Sequence, residues 1–172
     1  PVPQGITLAP APPQTQSVSQ EFLDNVDTVL TEARKRGLWV YVTLLDGNTI
    51  AAIAEPLHTY GVNLLNNNGG ELAAFHDKAL APLLAVLDAH QDNVFGVDII
   101  NEIQAAYKQG VFPDANLWPR AFILSTAAFI KSRSPWVRVT ASAGWPDDLF
   151  KTGAQYDIAN GFYSGLGLDF YD

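Results

Sequence analysis

At 172 residues, 48% apolar and 16% charged, the chain is long enough to bury one sizeable core and too rich in aromatic and branched side chains to be disordered. Ten Lys and Arg against eighteen Asp and Glu leave a formal charge of −8, which argues against a nucleic acid or an anionic membrane as partner. No Cys is present, which excludes disulfides, thiolate metal sites and a Cys nucleophile, and no apolar run approaches the ~20 residues of a membrane span.

Residues 1–16, with Pro1, Pro3, Pro10, Pro12 and Pro13, show no periodicity and read as an extended Pro-rich loop or linker. Ser17 with Gln20 three places on reads as a capping box. It opens a helix with Phe22, Val26, Leu30 and Ala33 on one face, closed by Arg34, Lys35, Arg36 and Gly37. The basic triplet sits where cations complement the helix dipole, so it reads as a helix end. Residues 38–45 form an unbroken β-rich run, the mark of a strand covered on both faces in a parallel sheet, with Trp39 at its start read as core or helix contact. Asp46, Gly47 and Asn48 end it.

Residues 46–70 make a long connection, of the kind that is functional or holds small elements of its own. Residues 71–90 read as a helix that Pro82 should kink. Residues 94–100 form the next buried strand and run directly into Asn101 and Glu102. A helix at about 117–131, a strand at 137–141 leading to Gly144 and Trp145, a short helix at about 147–160 and a strand at 166–171 complete the chain. This alternation predicts βα units around a parallel sheet in one domain, 17–172.

Two parallel architectures compete, an open doubly wound sheet and a (β/α)8 TIM barrel. An open nucleotide-binding sheet wants a glycine-rich turn between strand and helix, and neither Asn68-Gly69-Gly70 nor Gly165-Leu166-Gly167 is so placed. In a barrel the chemistry lies at the carboxyl ends of strands, here Asp46, then Asn101 and Glu102, then Gly144 and Trp145, then residues 169–172. Carboxylates, a carboxamide and aromatic rings at successive strand ends suit a sugar, whose ring stacks and whose hydroxyls bond. His58, His76 and His90 have no metal-ligand spacing, and around Ser142 a Thr140 replaces the first glycine of a nucleophile elbow.

Pattern leaves two readings for Glu102: a general acid whose proton is held by a desolvating apolar wall, or the first residue of a solvated loop. Asp98, on the same strand, would lie about 13 Å away. That is too far for a retaining pair at ~5–5.5 Å, so Asp98 reads as a salt-bridged or hydrogen-bonded layer residue.

Phe95-Gly96-Val97-Asp98-Ile99-Ile100-Asn101-Glu102 resembles the fourth-strand signature of clan A retaining glycoside hydrolases, the (β/α)8 enzymes that include cellulases, β-mannanases and glycoside hydrolase family 5. Residues 38–46, 137–145 and 168–172 resemble the third, fifth and sixth strands of that family, in order. The resemblance implies a partial α/β barrel, the central portion of a secreted, cofactor-free enzyme cleaving a neutral β-linked polysaccharide such as β-glucan or β-mannan. It implies Glu102 as acid/base, Asn101 as the contact to the sugar 2-hydroxyl, and Trp145, Asp46, Tyr171 and Asp172 as subsite residues. The family's nucleophile is a Glu on the seventh strand, which would fall beyond Asp172. About four strands cannot close a barrel of about 250 residues. The expectation is therefore a portion of a longer enzyme, inactive alone, or else a non-catalytic carbohydrate-binding relic. A chain that truly stopped here would self-associate through its open sheet edges.

Overall fold

The computed structural model describes residues 5–50, 56–103, 118–142, 144 and 164–170. The predicted helix at 147–160, and with it Trp145, Tyr171 and Asp172, lies outside the described residues.

The amino-terminal segment expected to be a loop contains a hairpin. Strand β1 (Ile6–Leu8) pairs antiparallel with β2 (Thr15–Val18), and Pro10, Pro12 and Pro13 all fall in the connection, where no ladder N–H is needed. The hairpin is held from outside by Glu71, whose side chain is fully buried. Its Oε1 accepts from the Thr15 amide at 2.8 Å and the Thr15 hydroxyl at 2.6 Å, and its Oε2 accepts from the Gln14 amide. The Tyr60 hydroxyl lies 3.3 Å from the Thr15 hydroxyl, and burial pushes its titration well above the usual phenol range, reinforced by the Glu71 charge.

Helix α1 (Gln20–Lys35) is capped by Ser19, whose Oγ accepts from the Phe22 amide at 3.2 Å; Ser17, the predicted cap, belongs to β2. Gly37 ends it as expected, at φ +66°, with the Leu38 amide donating back to Ala33 at 3.0 Å. The basic triplet is paired locally. Arg34 meets Asp92 at 2.5 Å, while Lys35 and Arg36 hydrogen-bond Glu32 and hold its carboxyl down at about 2.

Strands β3 (Val40–Thr43), β4 (Val94–Asp98) and β5 (Val139–Thr140) make a parallel sheet in the order β3-β4-β5, with Val42 opposite Val97 and Val97 opposite Val139. Between β3 and β4 run α2 (Gly47–Ile50), α3 (Leu57–Asn66), a 3-10 turn (Asn68–Gly70), α4 (Glu71–Phe75), a π-helical turn (His76–Leu80) and α5 (Ala81–Asp88). Helix α6 (Trp118–Arg133) precedes β5. The disturbance expected at Pro82 is taken up by the π-helical turn ahead of it, so Pro82 sits in the first turn of α5, where its missing N–H leaves no bond unmade. One apolar cluster joins Val94, Val97, Ile99 and Val139 of the strand region to Leu80, Leu84, Leu87, Ile123 and Ile130 of the helices.

The other face of the sheet is open among the described residues. Tyr41 and Phe95 are exposed and cluster with Phe170, at ring separations of 5.6–6.4 Å. Trp39, read from sequence as core or helix contact, is 65% exposed. Residues 166–170 are not a strand. The Asp169 amide does donate to the Val139 carbonyl at 2.8 Å, yet the return bond from the Val139 amide goes to the Asp169 carboxylate at 2.7 Å, where a ladder would use a carbonyl. Burial pushes the Asp169 carboxyl up, but Lys131 and the Val139 amide outweigh it and hold it below the usual range.

His76, in the π-helical turn, stacks on Phe129 at 4.5 Å and meets the buried Thr126 hydroxyl at 3.0 Å. Burial pushes its imidazole down to about 4, against a smaller upward pull from Asp77. Above pH about 6.5 neither folded nor unfolded chain protonates it, and its full contribution is present. As pH falls from there toward 4, the unfolded chain binds a proton that the folded chain refuses, and stability drops. His76→Gln is expected to flatten this limb in a plot of urea midpoint against pH. An unchanged slope would contradict the assignment.

Candidate active site

The tips of β3 and β4 are tied together beyond the regular strands. Asp46 and Asn101 form a parallel bridge, with the Asn101 amide donating to Leu45 at 2.9 Å and the Gly47 amide donating to Asn101 at 2.8 Å. On the other side the Ser142 amide donates to Ile100 at 3.1 Å. Asp98, 1% exposed, sits beneath these tips. Its carboxylate accepts from the Ser142 hydroxyl at 2.6 Å and from the amides of Ile100 and Ser142 at 3.2 and 3.1 Å. It is the hydrogen-bonded layer residue expected from the sequence, and it locks β4 to the chain leaving β5.

Two carboxylates emerge above that layer with different tasks. Asp46 spends Oδ1 on the amide and hydroxyl of Thr49, at 2.9 and 3.2 Å, which starts α2. Its Oδ2 accepts from Asn101 Nδ2 at 2.9 Å, which turns the Asn101 carboxamide into a fixed orientation. Glu102 is half-buried, and its backbone is left-handed, φ +51°, an arrangement that costs a non-glycine residue about 1–3 kcal/mol and is over-represented at active sites. Its Oε2 accepts from Asn48 Nδ2 at 2.8 Å. Sequence reasoning missed Asn48 as a site residue. Its only local signal was adjacency to Asp46 in the Asp46-Gly47-Asn48 stop.

Two glycines make room for this arrangement. A Cβ on Gly47 would lie 2.3 Å from the Glu102 carbonyl oxygen and 3.0 Å from that of Asn101, while one on Gly144 would lie 3.1 Å from Glu102 Cγ. The obstacle at Gly47 is backbone and cannot rotate away. Gly47→Ala is therefore expected to part the two strand tips and lower stability by about 1–3 kcal/mol in urea unfolding, the range for overpacking. A midpoint equal to wild type would show that the tips are not in this contact.

The structure thus brings Asp46, Asn101 and Glu102, three of the candidates from the sequence, to one place, with Asn48 beside Glu102. A cavity of about 260 Å³ lies on the far side of Asp46, walled by Phe22, Leu44, Ile50, Phe75 and Leu83. Glu102 does not border it.

No protein-family model matches the chain, and no curated protein matches it in sequence. Solved structures do match in fold. The β-mannanase of the blue mussel Mytilus edulis superposes with a TM-score of 0.69 at 20% identity, over 92% of this chain and 51% of that one. The β-1,4-mannanase of the sea hare Aplysia kurodai gives 0.70 at 19% identity, over 96% and 54%. The endo-1,4-β-mannanase of Eisenia fetida gives 0.69 at 17%, over 95% and 52%. The chain spans about half the length of these structures. Its fold is a partial α/β barrel of the (β/α)8 kind, with a glutamate and an asparagine at the carboxyl end of β4, the end where such barrels carry their chemistry.

Proposed function

We propose that this chain is the acid/base-bearing part of a glycoside hydrolase that cleaves β-1,4-mannan with retention of configuration. The observation that carries the reading is Glu102, held left-handed at a barrel strand tip with one carboxyl oxygen fixed by Asn48 and the Asn101 carboxamide oriented beside it. The folds in the comparison are named as mannanases, which favours mannan over β-glucan within the class of neutral β-linked polysaccharides. A polymeric substrate of that kind favours an extracellular location.

In this mechanism Glu102 protonates the glycosidic oxygen as its bond to the anomeric carbon breaks, and then, as carboxylate, takes a proton from the water that releases the sugar. Asn101 holds the 2-hydroxyl of the reacting sugar, where bonding strengthens toward the transition state. Asp46, behind Asn101, borders the neighbouring subsite, and the sequence resemblance offers Trp145, Tyr171 and Asp172 as further subsite residues. Retention also needs a nucleophilic carboxylate about 5–5.5 Å from Glu102. Asp46 and Asp98 are committed to the hydrogen bonds described above, so neither is assigned that role.

The test is release of reducing sugar from β-1,4-mannan and from β-glucan by the full-length protein, with Glu102→Gln as the comparison. Mannan hydrolysis lost in the variant supports the reading. Mannan binding without turnover overturns it in favour of a carbohydrate-binding relic.

A further inference from the structure

The contact between Asn48 and Glu102 bears on which of the two carboxyl oxygens carries the proton. Asn48 Nδ2 faces Glu102 Oε2 at 2.8 Å, and an amide N–H can only donate. When Glu102 is protonated, the carbonyl oxygen is a better acceptor of that N–H than the hydroxyl oxygen, which favours the acid proton on Oε1. The terminal torsion of a glutamate is otherwise broad, so a fixed donor on one oxygen also sets the plane of the group. Asn48 is itself anchored. It lies in α2, whose first residue, Gly47, donates its amide to Asn101, and the helix is capped by Asp46. Asn48 is exposed and contributes little to the core, which makes a purely structural account of it weak.

We propose that Asn48 is a positioning residue for Glu102, holding the carboxyl plane so that Oε1 delivers the proton to the glycosidic oxygen; the proposal rests on the acid/base reading above. In the step itself the Oε1–H bond breaks as the anomeric carbon–oxygen bond breaks. The bond pair stays on the departing oxygen, which leaves as a neutral alcohol, and Glu102 is left as carboxylate with Asn48 still donating to Oε2. The need for that proton depends on the leaving group. A sugar hydroxyl cannot leave without it, whereas a dinitrophenolate leaves as a stable anion.

The experiment compares kcat/KM, which reports bond cleavage to the leaving group, for mannotetraose and for a dinitrophenyl β-mannobioside. The full-length wild type, Asn48→Ala and Glu102→Ala are measured side by side. Asn48→Ala is expected to lose about 10- to 100-fold on mannotetraose, the scale of a small misplacement of a catalytic group, and to match wild type on the aryl substrate. Equal losses on both substrates would mean a structural role, and no loss on either would mean no role; each overturns the proposal. Glu102→Ala separates the two layers of argument. If it discriminates between leaving groups while Asn48→Ala does not, the positioning inference alone falls. If Glu102→Ala does not discriminate, the acid/base reading falls and takes the inference with it.

Discussion

Glu102→Gln is expected to lower kcat/KM on β-mannan by about 10²–10⁴-fold, the usual worth of acid–base help, with the urea midpoint close to wild type. The two halves of that expectation come from the same geometry. A glutamine has no proton to give the glycosidic oxygen at any useful rate, so the chemical step loses its acid. It has nearly the shape of glutamate, however, and its carbonyl oxygen can take the place of Oε2 in accepting from Asn48. The left-handed backbone at position 102 and the close approach of Gly47 and Gly144 are untouched. A replacement that removes a proton and keeps the contacts should therefore separate activity from stability. Activity within about tenfold of wild type would remove Glu102 from the mechanism. A large fall in stability would show that its contacts differ from those described.

The same residues explain how far the sequence could be read. Val94–Asp98 and Val40–Thr43 were legible because uninterrupted β-branched and aromatic runs have few other uses in a compact domain, and Asn101 and Glu102 follow the first of them directly. What local pattern does not encode is the partner. Ser17 and Ser19 are equally good caps by composition. Only the ladder pairing of Ser17 with Thr7 assigns the first to a strand and leaves the second to α1. The hairpin itself was hidden by brevity and by a register irregularity between Thr7 and Leu8, which blurs any alternation. Trp39 and Tyr41 belong to a run that reads as buried on both faces, yet among the described residues the covering element exists on one face only. Asn48 meets Glu102 across more than fifty positions, a contact no window of sequence contains.

Glu71 is the clearest case of a residue whose role is set by distant chain. By pattern it is an acidic residue in the first turn of a helix, where it would complement the dipole in water. In the fold it is fully buried, and among the described residues no cation pairs with it. Three donors from Gln14 and Thr15 satisfy it instead, so the carboxylate is the clamp that fastens the hairpin to α4. Glu71→Ala would leave two backbone amides and a hydroxyl facing a void, and the Thr15 hydroxyl would keep only Tyr60 as neighbour. The expected loss is about 3–5 kcal/mol, since three buried donors lose their acceptor at about 1–3 kcal/mol each before the site relaxes. That is a large fraction of the 5–15 kcal/mol a domain of this kind has in total. Glu71→Gln is the discriminating variant. Its carbonyl can serve the two donors of Thr15, but its NH₂ would then face the Gln14 amide, donor against donor, at a cost of about 1–3 kcal/mol. Urea unfolding of the full-length protein should therefore order stability as wild type, then Gln, then Ala. A Gln variant as stable as wild type would mean that the Gln14 amide does not depend on the carboxylate, and the clamp would have to be assigned to Thr15 alone.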